Sequence, residues 1–250
     1  MFVAEGFVFV HIPKTGGQSI MRRLTMIPGV FKGQSVRDHM NVIDVRHPLF
    51  KKDTPKLAFV RNPWSWYASW YHYSITSGPM ILFNIISNNT QFDFIQSMNN
   101  LFDMIENKRP DLLELYNDQI GSSGNPTETH RKHFHELIEW DCGLLSWNYY
   151  HLIFGDIHNI NYDNVTIGKT ESLMEDALNF FINQGIIKKA GGTDREQQGF
   201  DHVHKMFTDN RKLNVTRDYG DYRQYYDDAL IERVYQKEHY IATKYDYNFD

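Results

Sequence analysis

Residues 6–20 read Gly-Phe-Val-Phe-Val-His-Ile-Pro-Lys-Thr-Gly-Gly-Gln-Ser-Ile, and the rest of the chain is arranged around them. Phe7 to Ile12 is a short apolar run rich in β-branched and aromatic side chains, the pattern of a buried strand. Pro13 ends it, because proline has no N–H for a sheet ladder. Ile20, Met21, Leu24 and Ile27 then recur at helical spacing, with Arg22 and Arg23 assigned to the opposite face. Strand, glycine turn and helix follow one another. Such a turn presents unpaired backbone N–H groups, and Gly16 and Gly17 let a bulky anion approach the main chain. Lys14 adds a point charge, Thr15 and Ser19 add hydroxyls, and Gln18 adds an amide. The expectation is a phosphate cradle.

The order of residues departs from the common nucleotide loop. Gly-x-x-x-x-Gly-Lys-[Ser/Thr] has its lysine after the glycines, whereas Lys14 precedes them, and no Gly-x-Gly-x-x-Gly follows the strand. Val10-His-Ile-Pro-Lys-Thr-Gly-Gly-x-Ser19 instead closely resembles the 5′-phosphosulfate loop of sulfotransferases that use 3′-phosphoadenosine 5′-phosphosulfate (PAPS). The likeness is to the branch holding carbohydrate 2-O-sulfotransferases and their bacterial relatives. That branch usually carries Thr or Ser at the position of Gln18.

A second motif follows. Lys56 to Arg61 reads as another short buried strand, and Arg61-Asn-Pro-Trp leads into a helix with proline near its start. In the same sulfotransferases, Val-Arg-[Asn/Asp]-Pro with a serine eight residues after the arginine binds the 3′-phosphate of PAPS. Arg61 and Ser69 match that pattern. An arginine at a strand's C-terminal end is a forked, permanently charged phosphate donor. Ser65-Trp66 stands where the family often has Glu-Arg.

The resemblance also implies a base. A His-x-x-x-x-Asp segment precedes the second strand in the 2-O-sulfotransferase branch, and its histidine is the proposed base. His39 and Asp44 fit it, although Arg37-Asp38-His39 lacks the first histidine of the heparan enzymes' His-Gly-His. His11, beside the loop, is the competing histidine. Further on, Val165 to Leu173 resembles the family's late strand and turn. Arg211 to Tyr219 resembles the loop that often closes over the nucleotide, which makes Lys212 and Arg217 candidate phosphate contacts. A final helix over Asp227–Lys244 and Tyr245-Asp-Tyr-Asn-Phe match the family's usual ending.

Composition bounds the rest. At 250 residues and 41% hydrophobic content, the chain is expected to form one domain, 1–250, with a helical insertion around 78–140, which the resemblance implies shapes the acceptor cleft. A net charge of −5 offers no global field for nucleic acid. The single cysteine, Cys142, fits a reducing compartment. No signal peptide or apolar run of about 18 residues is present, so a cytoplasmic protein with no membrane partner is expected. His130, His133 and His135 are unevenly spaced and read as a solvated face, not a metal site. Trp64, Trp66, Trp70, Tyr71 and Tyr73 suit either a sugar surface or the core.

Together these point to a three-layer, P-loop-like α/β fold around a mainly parallel sheet, with ligands at strand C-terminal ends. The implied activity is PAPS-dependent sulfuryl transfer to an acceptor hydroxyl on a carbohydrate. Lys14 and His39 would be catalytic. Lys14, Thr15, Gly16, Gly17, Gln18, Ser19, Arg61, Ser69, Lys212 and Arg217 would hold the nucleotide. No metal is called for, since lysine and amides do the charge neutralisation. Two alternatives stand beside it. A nucleotide-dependent phosphotransferase should carry an acidic residue at a strand end for magnesium. A catalytically silent nucleotide- or glycan-binding module would keep the cradle without turnover.

Overall fold

The computed structural model describes residues 1–26, 33–36, 47–77, 80–122, 135–155, 160–187, 194–208 and 220–250. The chain divides into two compact units, each built from two chain segments: 1–61 with 148–215, and 62–147 with 216–250.

The first unit is α/β. Five strands form one mixed sheet: β1 (Phe2–Ala4), β2 (Phe7–Phe9), β3 (Gly33–Ser35), β4 (Lys56–Val60) and β5 (Val165–Lys169), in the order β3-β1-β2-β4-β5. The pairings β2–β4 and β4–β5 are parallel, whereas β1 pairs antiparallel with both β2 and β3. The expected parallel sheet is thus present at its centre and extended by antiparallel strands on one side. The physical reason is the two-residue Glu5–Gly6 turn. Gly6 at φ +92° supplies the left-handed backbone that a tight hairpin needs, so the chain doubles back before β2.

Alternation along the central strands sorts the core. Phe7 and Phe9 of β2 and Leu57 and Phe59 of β4 share one face of the sheet. They pack with Ile20, Met21 and Leu24 of α1 (Gly17–Met26) and with Ala177, Leu178, Phe180 and Phe181 on the long helix after β5. Val8, Ala58 and Val60 point to the other face and are equally buried. Burial on both faces explains why these strands read as continuous apolar runs.

The second unit is helical. It contains α2 (Pro63–Thr76), α3 (Ile81–Ile86), α4 (Phe94–Ile105), α5 (Pro110–Ser122) and the first turn of α6 (Leu144–Phe154). Two more helices, α7 (Leu173–Asn183) and α8 (Asp194–Thr208), belong to the first unit, and α9 (Asp228–Lys244) closes the second. The aromatic run of α2 is mostly core: Trp64, Trp66, Trp70 and Tyr71 are buried, and Tyr73 alone of the five is exposed. Tyr67 packs edge-on to Phe102, and Tyr71 does the same to Phe83 and Phe94.

One polar cluster sits inside this unit. The fully buried carboxylate of Glu238 accepts hydrogen bonds from the Tyr67 hydroxyl (2.6 Å), the Leu145 amide (3.0 Å), the Ser146 amide (2.8 Å) and the Ser146 hydroxyl (2.6 Å). The Leu144 amide donates to the Tyr67 oxygen at 2.9 Å. Three N–H groups that open α6 are therefore satisfied by side chains from α2 and α9. Gly143 must be a glycine here, because a Cβ would lie 2.0 Å from Glu238 Oε1.

Candidate functional site

The turn between β2 and α1 is built as the sequence implies. Val10, His11 and Ile12 run on from β2 and are buried, and the turn reverses over residues 13–16. Lys14 (φ 62°) and Gly16 (φ 78°) both take left-handed backbone. For lysine that conformation is unusual, and strain of this kind gathers at functional sites. The Ser19 amide donates to the Gly16 carbonyl at 2.9 Å. The Gly17 and Gln18 amides that open α1 precede its first intrahelical bonds and carry the positive end of its dipole.

Gly16 is favoured by its left-handed backbone, and Gly17 is required by what lies beneath it. A Cβ on Gly16 would come 2.7 Å from Leu173 Cδ2, and one on Gly17 would come 1.9 Å from His11 Cδ2. The His11 ring, 4% exposed, stacks on Phe9 with centroids 6.2 Å apart and fills the space under the loop. That is a packing position. Thr15 is turned inward as well. Its hydroxyl donates to the Ile12 carbonyl at 2.9 Å and tightens the turn, so the backbone is what Thr15 offers to a ligand. Gln18 is exposed and Ser19 half-buried.

The second motif meets the first within the α/β unit. Parallel pairing of β2 with β4 sets their C-terminal ends side by side, and Arg61, just past β4, donates from Nη1 to the Lys14 carbonyl at 3.1 Å. Thr170, just past β5, donates from its hydroxyl to the Val60 carbonyl at 2.9 Å and ties the third parallel strand end to the same place. Burial, and then the Arg61 charge, lower the Lys14 ammonium to about 8. Two cations and a helix N-terminus converge on one turn, and the chemistry that relieves all three is an anion.

Asn62 and Pro63 start α2 for reasons legible in their types. The Asn62 side chain accepts from the Ser65 amide at 3.1 Å as an N-cap, and Pro63 occupies the first helical turn, where its missing N–H costs nothing. Ser69 lies on α2 in the helical unit, 3% exposed, and its hydroxyl makes no hydrogen bond to any described residue. By contrast, the buried Ser74 hydroxyl on the same helix donates to the Trp70 carbonyl at 2.8 Å.

His39, Asp44, Lys212 and Arg217 lie outside the described residues, as do His130 and His133. Among the described residues no cluster of histidine, cysteine, aspartate or glutamate could hold a metal ion. Among them, too, no helix is long and apolar enough to cross a membrane.

One participant was missed by sequence reasoning. Arg23 is not on the solvent face with Arg22: it is 2% exposed, and its Nη1 donates to the Ser19 hydroxyl at 2.9 Å. The signal was the spacing, since Ser19 and Arg23 are four residues apart on one helix and share a face. No family model matches this chain, and no curated protein or solved structure matches it significantly.

Proposed function

We propose that this chain is a PAPS-dependent sulfotransferase with a P-loop-like α/β fold, acting on a hydroxyl of a carbohydrate. The observation that carries the reading is Arg61 joined to Lys14 at the end of two parallel strands, beside the glycine turn that opens α1. A single anion-binding loop suits many nucleotides. A second, permanently charged guanidinium next to it suits a ligand with two separate phosphate groups, which is what distinguishes PAPS from ATP.

The residues divide the work. Lys14 and the amides from Thr15 to Gln18, with the Ser19 hydroxyl, hold the 5′-phosphosulfate and oppose the charge that grows on the bridging oxygen. Arg61 takes the 3′-phosphate, and the resemblance gives Ser69, Lys212 and Arg217 as further nucleotide contacts. The acceptor oxygen attacks sulfur in line, the bond from sulfur to the bridging oxygen breaks, and its electron pair leaves with the phosphate as PAP, the 3′,5′-bisphosphate product. His39 receives the acceptor's proton.

Calorimetry with PAP and AMP tests the reading. PAP should bind without added metal and much more tightly than AMP; equal affinities overturn the cofactor assignment. Arg61→Ala removes a charge-assisted contact of about 1.5–3 kcal/mol, so PAP affinity should fall roughly 10- to 150-fold. Transfer from labelled PAPS to an acceptor panel then separates an enzyme from a silent binding module.

A further inference from the structure

Arg23 carries a charge almost wholly removed from water, and its contacts explain what it is for. A buried guanidinium is tolerated only when its N–H groups find acceptors. Nε donates to the Met206 carbonyl at 3.0 Å, in the last turn of α8, where unsatisfied carbonyls and the helix dipole favour a cation. Nη1 donates to the Ser19 carbonyl at 3.3 Å and to the Ser19 hydroxyl at 2.9 Å. Lysine could not serve both ends, since one ammonium cannot span two sites that the planar fork reaches together.

The contact with the hydroxyl has a chemical consequence. A serine hydroxyl has one proton and two lone pairs. With Arg23 occupying a lone pair, the proton is directed away from the guanidinium, and donation from a cation makes that O–H a stronger donor. Ser19 lies in the first turn of α1, beside the turn proposed above to hold an anion. We propose that Arg23 is a positioning residue of this cradle: it fixes the Ser19 hydroxyl as a donor to a phosphate or phosphosulfate oxygen and ties the cradle to the last turn of α8. Arg23 touches no ligand itself. The inference rests on the cradle being a nucleotide site, as proposed above.

A merely structural arginine would hold α1 to α8, and its loss would lower stability while leaving ligand affinity in the folded protein unchanged. A double-mutant cycle in PAP affinity separates the two roles. Ser19→Ala should weaken PAP binding about tenfold, the effect of one lost hydrogen bond to a charged group. Arg23→Met should weaken it by a similar factor. In the Ser19→Ala background, Arg23→Met should change affinity by less than about twofold, because residues acting through one contact are not additive. If Arg23→Met does not fold, Arg23→Lys closes the same cycle, since it keeps the charge but loses the two-ended span. Multiplying losses, or unchanged PAP affinity in a folded Arg23 variant, would overturn the role given to Arg23 and leave the nucleotide site standing. Wild-type protein that fails to bind PAP would overturn the nucleotide reading, and this inference with it.

Discussion

Two helix N-termini in this chain are furnished in opposite ways. At α6 the opening amides are filled from within, by the Glu238 carboxylate and the Tyr67 hydroxyl, and Gly143 is small so that the carboxylate can reach them. At α1 the first turn holds no acidic residue, and Gly17 is small so that the His11 ring can pack beneath the loop. Both helices follow glycine, so glycine before a helix does not identify an anion site. What sets the α1 end apart is the pair of cations, Lys14 and Arg61, joined at its mouth. One end carries its anion built in; the other is furnished for an anion from outside.

Removing the built-in anion should have the largest effect. Glu238→Ala leaves four buried donors without their acceptor and opens a cavity among Tyr67, Leu145 and Ser146. The loss should be about 3–5 kcal/mol of stability, measured by urea unfolding. The pH dependence has a definite sign. Burial lifts the Glu238 carboxyl to about 7, against the Ser146, Tyr67 and Leu145 donors that lower it. Between its ordinary value of 4.5 and about 7, the folded chain keeps a proton that the unfolded chain has released. Stability from this group therefore falls as pH rises through that window. Glu238→Gln should remove that slope, and a slope that survives the substitution would place its source elsewhere.

The same contrast shows what was legible in the sequence. The β2 run, the Pro13 stop, the glycine turn and the apolar spacing of α1 are local patterns, and so is the Asn62-Pro63 start of α2. The turn and both helix starts appear where their residues imply, whereas β2 ends at Phe9 and the buried Val10–Ile12 segment continues without strand pairing up to Pro13. β1 and β3 are three residues each, too short to display a period, and they turned a mainly parallel sheet into a mixed one. Arg23 was hidden by adjacency: Arg22 and Arg23 read as one polar face, yet neighbours on a helix point about 100° apart, and only one of them faces solvent. Glu238 sits among Gln236, Lys237 and His239 in a stretch that reads as polar surface. Its partners lie far away in the chain, and contacts of that range leave no local trace.

The glycine at the α1 end should give the next largest effect. Gly17→Ala drives a methyl into the His11 ring, and the ring has Phe9 behind it. Overpacking of this kind should cost about 1–3 kcal/mol and lower PAP affinity by shifting the loop. In a His11→Ala background the methyl has room, so Gly17→Ala should cost much less there. Equal costs in both backgrounds would show that the alanine offends through the loop backbone and not through the ring.

The smallest effect is the most specific to the outward-facing end. Burial and the Arg61 charge lower Lys14 from 10.5 to about 8, so between those values the folded chain has lost a proton that the unfolded chain retains. Stability from this group rises with pH across that window, opposite in sign to Glu238. Ligand binding should run the other way. An anion beside Lys14 favours the ammonium and raises its pKa, so binding takes up a proton wherever the free lysine is neutral. PAP affinity should then be nearly constant up to pH 7.5 and about tenfold weaker by pH 9. Lys14→Arg keeps the charge and does not titrate in this range, so its PAP affinity should be flat over the same interval. A wild-type profile as flat as that of the arginine variant would mean that Lys14 does not face the bound anion, and the charge at the mouth of α1 would then be carried by Arg61 alone.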